Sequence, residues 1–150
     1  MSFDIFVQGF KSGDRSAVDR DLFVTALGSS LTHVGAAFDV RTPDGGSAEI
    51  YGLDKDPFDG CMFALHGDLS PLLADTIVAA ARATRCAIYW PADEPLFAYP
   101  DPAILPDLPS DPDDPTPVHC TSGSDLKLLV DSGLDAWKQY RDQVARRADS

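Results

Sequence analysis

The chain has 150 residues and a mass of 16.1 kDa, is 44% hydrophobic and 24% charged, and sets 24 acidic residues against 12 basic ones for a formal charge of −12. That length and apolar content suit one self-supporting domain over residues 1–150, and they exclude a collagen, a coiled coil or a disordered chain. No segment reaches the roughly 18–20 uninterrupted apolar residues of a membrane span.

The opening Met1-Ser2-Phe3-Asp4 has neither the basic start nor the apolar stretch of a secretion signal, so the expected location is cytoplasmic. With a pI near 4.3, the field of the whole chain repels nucleic-acid phosphates and anionic lipid. The exception in sign, Arg146-Arg147, is short. The expected partner is a basic protein, with no nucleic acid and no membrane. Of the acidic residues, only Glu49 and Glu94 are glutamate, and the rest are aspartate, a residue of caps and turns, so the charge should collect at element ends and in loops. Cys61, Cys86 and Cys120 are odd in number and set in apolar runs, which reads as reduced core residues.

In chain order, Ser2 to Gln8 alternates Phe3, Ile5 and Val7 with Asp4, Phe6 and Gln8, the pattern of a strand with one face in the core. Ser16 and Asp19 signal a helix start, and the spacing of Val18, Leu22, Phe23, Ala26, Leu27 and Leu31 predicts a helix over about 17–31. Ala36–Thr42 and Ser47–Leu53 flank Pro43-Asp44-Gly45-Gly46, the strongest hairpin signal in the chain. Cys61–His66 predicts a further strand. Ser70-Pro71 places a cap and a first-turn proline before a helix bearing Leu73, Ile77, Ala80 and Thr84 on one face.

Cys86–Trp90 predicts another strand, ended by Pro91. From 100 to 117, 7 of 18 residues are proline and 5 are aspartate, a composition that predicts an extended surface loop, mobile or ordered by a partner, and a second surface that could meet a basic protein. Val118–Thr121 reads as a short edge strand. A last helix is capped by Ser122 and Asp125, carries Leu126, Leu129, Val130, Leu134, Trp137 and Val144, and breaks near Ser132-Gly133. The expected fold class is α+β: a two-layer sandwich with a mixed or antiparallel sheet and helices mainly on one face.

No motif names a reaction. Asp54 to Gly60 has the carboxylates of a calcium loop but puts Phe58 and Asp59 where a ligand and a glycine are required, and Leu65 where a glutamate is required. The three histidines and three cysteines show no chelating spacing, so no metal and no cofactor are expected. A nucleophile pair from Cys61 or Cys120 with His66 depends on spatial approach. Thr121-Ser122-Gly123-Ser124 lacks the lysine of a phosphate loop and reads as a cap.

The remaining constellation follows from alternation. If Phe3, Ile5, Val7, Phe38, Val40, Ala48 and Ile50 face the core, then Asp4, Phe6, Gln8, Ala37, Asp39, Arg41, Glu49 and Tyr51 share the other face, joined by Tyr89 from the later strand. Aromatic residues are the usual anchors of binding surfaces, and the acids among them would select a basic partner. The candidate binding residues are therefore Asp4, Phe6, Asp39, Arg41, Glu49, Tyr51 and Tyr89, with no catalytic residue assigned. The competing reading is a small-molecule enzyme or ligand-binding domain whose polar groups, such as Asp4, His66 and Tyr89, converge in a cleft.

Through Met1-Ser2-Phe3-Asp4-Ile5-Phe6-Val7-Gln8-Gly9-Phe10 and Ala48-Glu49-Ile50-Tyr51-Gly52, the chain resembles a set of small, uncharacterised bacterial proteins that open the same way. In size, acidity and α+β build it is also similar in character to the immunity proteins that accompany bacterial polymorphic toxins. The second resemblance implies a non-catalytic inhibitor of a basic protein.

Overall fold

Alternation and turn chemistry together build the sheet. In a computed structural model that describes residues 3–34, 37–91, 96–109 and 116–148, with side chains left out at 34, 132, 134–138, 140, 141 and 144–148, β1 (Phe3–Gln8) lies centrally. It pairs antiparallel with β7 (Gly60–Leu65) on one side and β8 (Ala87–Tyr89) on the other. Beyond β7 come β6 (Ser47–Tyr51), β5 (Ala37–Arg41) and β4 (Leu31–Val34), all antiparallel. Beyond β8 come β9 (Ala98–Tyr99) and then β10 (Val118–His119), which runs parallel to β9 and makes the sheet mixed. A separate small hairpin, β2 (Phe10–Lys11) and β3 (Asp14–Arg15), follows β1 directly.

The chain is an α+β protein, and one face of its sheet carries the main core. Ile5, Val7, Val40, Ala48, Ile50, Cys61, Phe63, Leu65, Ile88 and Ala98 join one buried cluster with the apolar stripes of the helices. Those helices are α1 (Arg20–Leu27), α2 (Pro71–Thr84) and α3 (Gly123–Ala148). Helix α1 supplies Phe23 and Leu27, α2 supplies Leu73, Ala74, Ile77, Val78, Ala80 and Ala81, and α3 supplies Leu126 and Leu129. The predicted break in α3 is present at Gly133, whose φ of 84° and ψ of 178° are not helical. Leu134, Trp137 and Val144, named from the sequence, have side chains outside the described residues.

Two expectations are corrected. The first helix does not run over 17–31: Asp19 accepts from the amides of Asp21 and Leu22, so the helix starts at Arg20, and it ends at Leu27. Leu31 matches Leu27 in helical spacing, yet Leu31–Val34 is β4, paired with β5 through Leu31 opposite Val40. The second correction concerns only residues 100–109 of the Pro/Asp-rich segment 100–117, expected to be extended. Asp101 caps a 3-10 turn over Pro102–Asp107, whose first residue is proline, and Ile104 and Leu108 pack on Ala87 among Phe10, Phe97 and Tyr99. This stretch is therefore packed chain, not an extended arm. Residues 110–115 lie outside the described residues.

The β5–β6 turn and the start of α2 are fastened by one carboxylate. Asp44 accepts from the Thr42 hydroxyl at 2.6 Å, the Ser70 hydroxyl at 2.8 Å, and the amides of Leu72 at 2.9 Å and Gly46 at 3.3 Å. These donors, led by Thr42 and the Leu72 amide, hold its pKa down at about 2, from 3.8. A carboxylate stabilised in the folded chain contributes fully above about pH 4 and loses its contribution as pH falls toward 2. Urea midpoints should therefore drop between pH 4 and pH 2 by more in the parent than in Asp44→Asn. Parallel curves for the two proteins over that window would contradict the fastening role.

Candidate functional site

Among the described residues, the face of the sheet turned away from the main core is only partly covered. Near β8 and β9 the 3-10 turn and the β2–β3 hairpin lie over it, tied together where the Ser12 amide donates to Asp107 Oδ1 at 3.1 Å and the Gly13 amide to the Asp107 carbonyl at 2.9 Å. Over β1, β7, β6 and β5 the same face presents ordered rows of side chains.

Register places the sequence-predicted residues. Asp39 lies opposite Glu49, Glu49 opposite Ala64, and Ala64 opposite Asp4, so three acids share one row across four strands. Three strand spacings of about 4.8 Å make that row about 14 Å long. Two residues along, Tyr51 lies opposite Met62, Met62 opposite Phe6, and Phe6 opposite Tyr89, forming an aromatic and thioether row beside the acidic one. The Phe6 and Tyr89 rings stack at 5.0 Å, Tyr89 meets Phe97 edge-on at 5.4 Å, and Phe97 meets Phe10 at 5.5 Å. The row is thus continuous with the small apolar cluster under the 3-10 turn, which holds its rings in place. Tyr51 at its other end is 53% exposed.

All seven candidate residues stand on this one face. Arg41, on the far side of the acidic row, comes within 3.9 Å of Asp39 and is 74% exposed. The Tyr51 hydroxyl donates to Glu49 Oε2. That bond first, then the Glu49 charge and partial desolvation, with Asp4 and Asp39 adding to them, push the Tyr51 phenol above its ordinary range. Gln8 belongs to the same face by alternation but is not available to a partner. It is buried, and its amide donates to the Asp59 carbonyl at 2.8 Å and the Gly9 carbonyl at 3.2 Å.

Sequence reasoning left Met62, Ala64 and His66 without a face. The inward run of Cys61, Phe63 and Leu65 was the signal that could have placed them outward. His66 Nε2 stands 3.8 Å from Glu49 Oε1.

Neither of two depressions among the described residues gathers all the residues named for the competing cleft. One depression, of about 480 Å³, is lined by Ala37, Phe38, Glu49, Tyr51, Gly52 and Asp54 among others, and a smaller one, of about 150 Å³, by Phe6, Gln8, Arg15, Tyr51, Lys55 and Tyr89 among others. Neither includes Asp4 or His66. All three cysteines are free and buried. Cys61 faces the core, while His66 leaves its strand on the opposite face. Burial raises Cys86 to about 11 and Cys120 to about 12, and pushes Cys61 higher still. All three thiols should resist a thiol reagent such as Ellman's reagent at pH 8 in the folded protein and react fully in denaturant. Rapid reaction of one thiol in the native state would contradict this burial.

No helix among the described residues is long and apolar enough to cross a membrane. No family model, no curated protein and no solved structure matches the chain.

Proposed function

We propose that this chain is a non-catalytic binding protein that presents the open part of its sheet to a basic protein partner, acting in the cytoplasm as an inhibitor of the immunity type. The observation that carries this reading is the register that sets Asp39, Glu49 and Asp4 in one row beside Tyr51, Met62, Phe6 and Tyr89. The acids would speed the approach of lysine and arginine side chains, and the aromatic row would supply the desolvated anchor. Further support comes from the rings themselves, which are already packed before any partner arrives, so little side-chain freedom is lost on docking. The net charge of −12 favours a basic protein over nucleic acid or an anionic membrane.

Hydrogen exchange of the complex with the partner purified from the native cell tests this reading. Amides of β1, β5, β6 and β7 should gain protection on binding, and those of α2 should not. Protection confined to the helices, or to 116–119, would place the interface elsewhere and overturn the proposal.

A further inference from the structure

We propose that Asp39, Glu49 and His66 form a site for a divalent first-row transition cation of the zinc type. One oxygen from each carboxylate and one ring nitrogen of His66 lie within 4.8 Å of one another. Asp39 lies on β5, Glu49 on β6 and His66 directly after β7, so their approach is set by backbone pairing. Asp39 and Glu49 are direct cross-strand partners, and the His66 amide donates to the Ser47 carbonyl of β6 at 3.1 Å.

The chemistry of the set points to the class of ion. Two carboxylates with a neutral imidazole balance a 2+ charge, and the imidazole favours zinc, copper, iron or nickel ions over calcium or magnesium, which take oxygen alone. Ligand atoms around zinc, at about 2.0–2.2 Å from the metal, stand about 3–3.5 Å from one another. The observed 3.8 Å between His66 Nε2 and Glu49 Oε1 is close to that, and a small rotation of half-exposed side chains closes the rest. Tyr51 donates to Glu49 Oε2, which turns Oε1 toward His66 in the way that outer hydrogen bonds orient metal-binding carboxylates. Arg41 is the built-in competitor: its guanidinium is 3.9 Å from Asp39 Oδ2 and would have to swing away, as its exposure permits. With three protein ligands, further coordination positions would be left for water or for a side chain of a second molecule.

This site shares Asp39 and Glu49 with the docking face but does not rest on that reading, because its test uses the full chain alone. Zinc titrated into the protein by calorimetry should bind at one site. His66→Ala and Glu49→Gln should each weaken it at least about tenfold, since loss of even a supporting group around a metal costs about 10–100-fold. Arg41→Ala should tighten it, and Asp21→Asn, an exposed acid on α1, should leave it unchanged. In the unaltered protein, trace Mn²⁺ should broaden the His66 ring resonances before those of His33, stacked on Phe38, or His119, stacked on Tyr99. Absence of zinc binding, equal binding by His66→Ala and the parent, or equal broadening of all three rings would each overturn the site. The partner-docking reading would survive any of these.

Discussion

Gly60→Ala is expected to destabilise the protein by about 2–5 kcal/mol, the sum of overpacking and of strain at a positive φ. Gly60 starts β7 opposite Gln8, with φ at 143°, and a Cβ there would fall 2.1 Å from the Val7 carbonyl oxygen and 2.9 Å from Gln8 Cα. Both are backbone atoms of β1, so no side chain can rotate away to make room. The natural comparison is Gly45→Ala, in the β5–β6 turn, where φ is 90° but nothing lies within 4 Å of the added carbon. That variant meets the conformational penalty without the clash. Urea midpoints of the two variants against the parent separate the terms. A loss of a few kcal/mol is a large share of the roughly 5–15 kcal/mol that holds a typical domain folded. If Gly60→Ala were no worse than Gly45→Ala, the close β1–β7 approach would be wrong, and with it the register that aligns Asp4 with Ala64 and Phe6 with Met62.

That register also explains how far the residues alone could lead. Signals spanning a few residues were legible. Ser70 accepts from the Leu73 amide ahead of Pro71, the turn at 43–46 closes through the Gly45 amide on Thr42, and the Asp125 amide donates to Ser122. Alternation likewise put Asp4 and Phe6 on one side of β1, Asp39 on the matching side of β5, and Glu49 and Tyr51 on that of β6, and the sheet joins those sides into one face.

What stayed hidden depends on partners distant in sequence. Tyr89 was legible as a member of this face, but its stacking on Phe6 was not, because no property of residues 86–90 alone selects β1 as the neighbour of β8. Leu31 satisfies both a helical stripe ending at Leu27 and a strand pairing with Val40, and pairing wins once Gly28 has turned the chain. In the proline-rich segment, composition argued for an extended chain, but Asp101-Pro102 is also a good start for a helical turn, and Ile104 and Leu108 have an apolar surface to cover. The approach of His66 to Glu49 and Asp39 joins three strands, which is why no chelating spacing exists in the sequence.

The largest functional effect is expected at the acidic row. Asp4→Asn, Asp39→Asn and Glu49→Gln together preserve side-chain shape while removing three negative charges from one sheet face. The fold should survive, since no buried hydrogen bond of the core uses these carboxylates among the described residues. Association with the basic partner should slow by about tenfold or more at low salt, within the ~10–10³ range of electrostatic steering. Dissociation should change less, because the aromatic row of Tyr51, Met62, Phe6 and Tyr89 is untouched. Raising the salt should draw the two proteins together, as the Debye length shrinks from about 10 Å at 0.1 M to about 3 Å at 1 M. The deciding measurement is the association rate of parent and triple variant with the purified partner across that salt range. Curves that are well separated at low salt and converge at high salt are the predicted result, and superimposable curves at every salt concentration would contradict the assignment of this face as the binding surface.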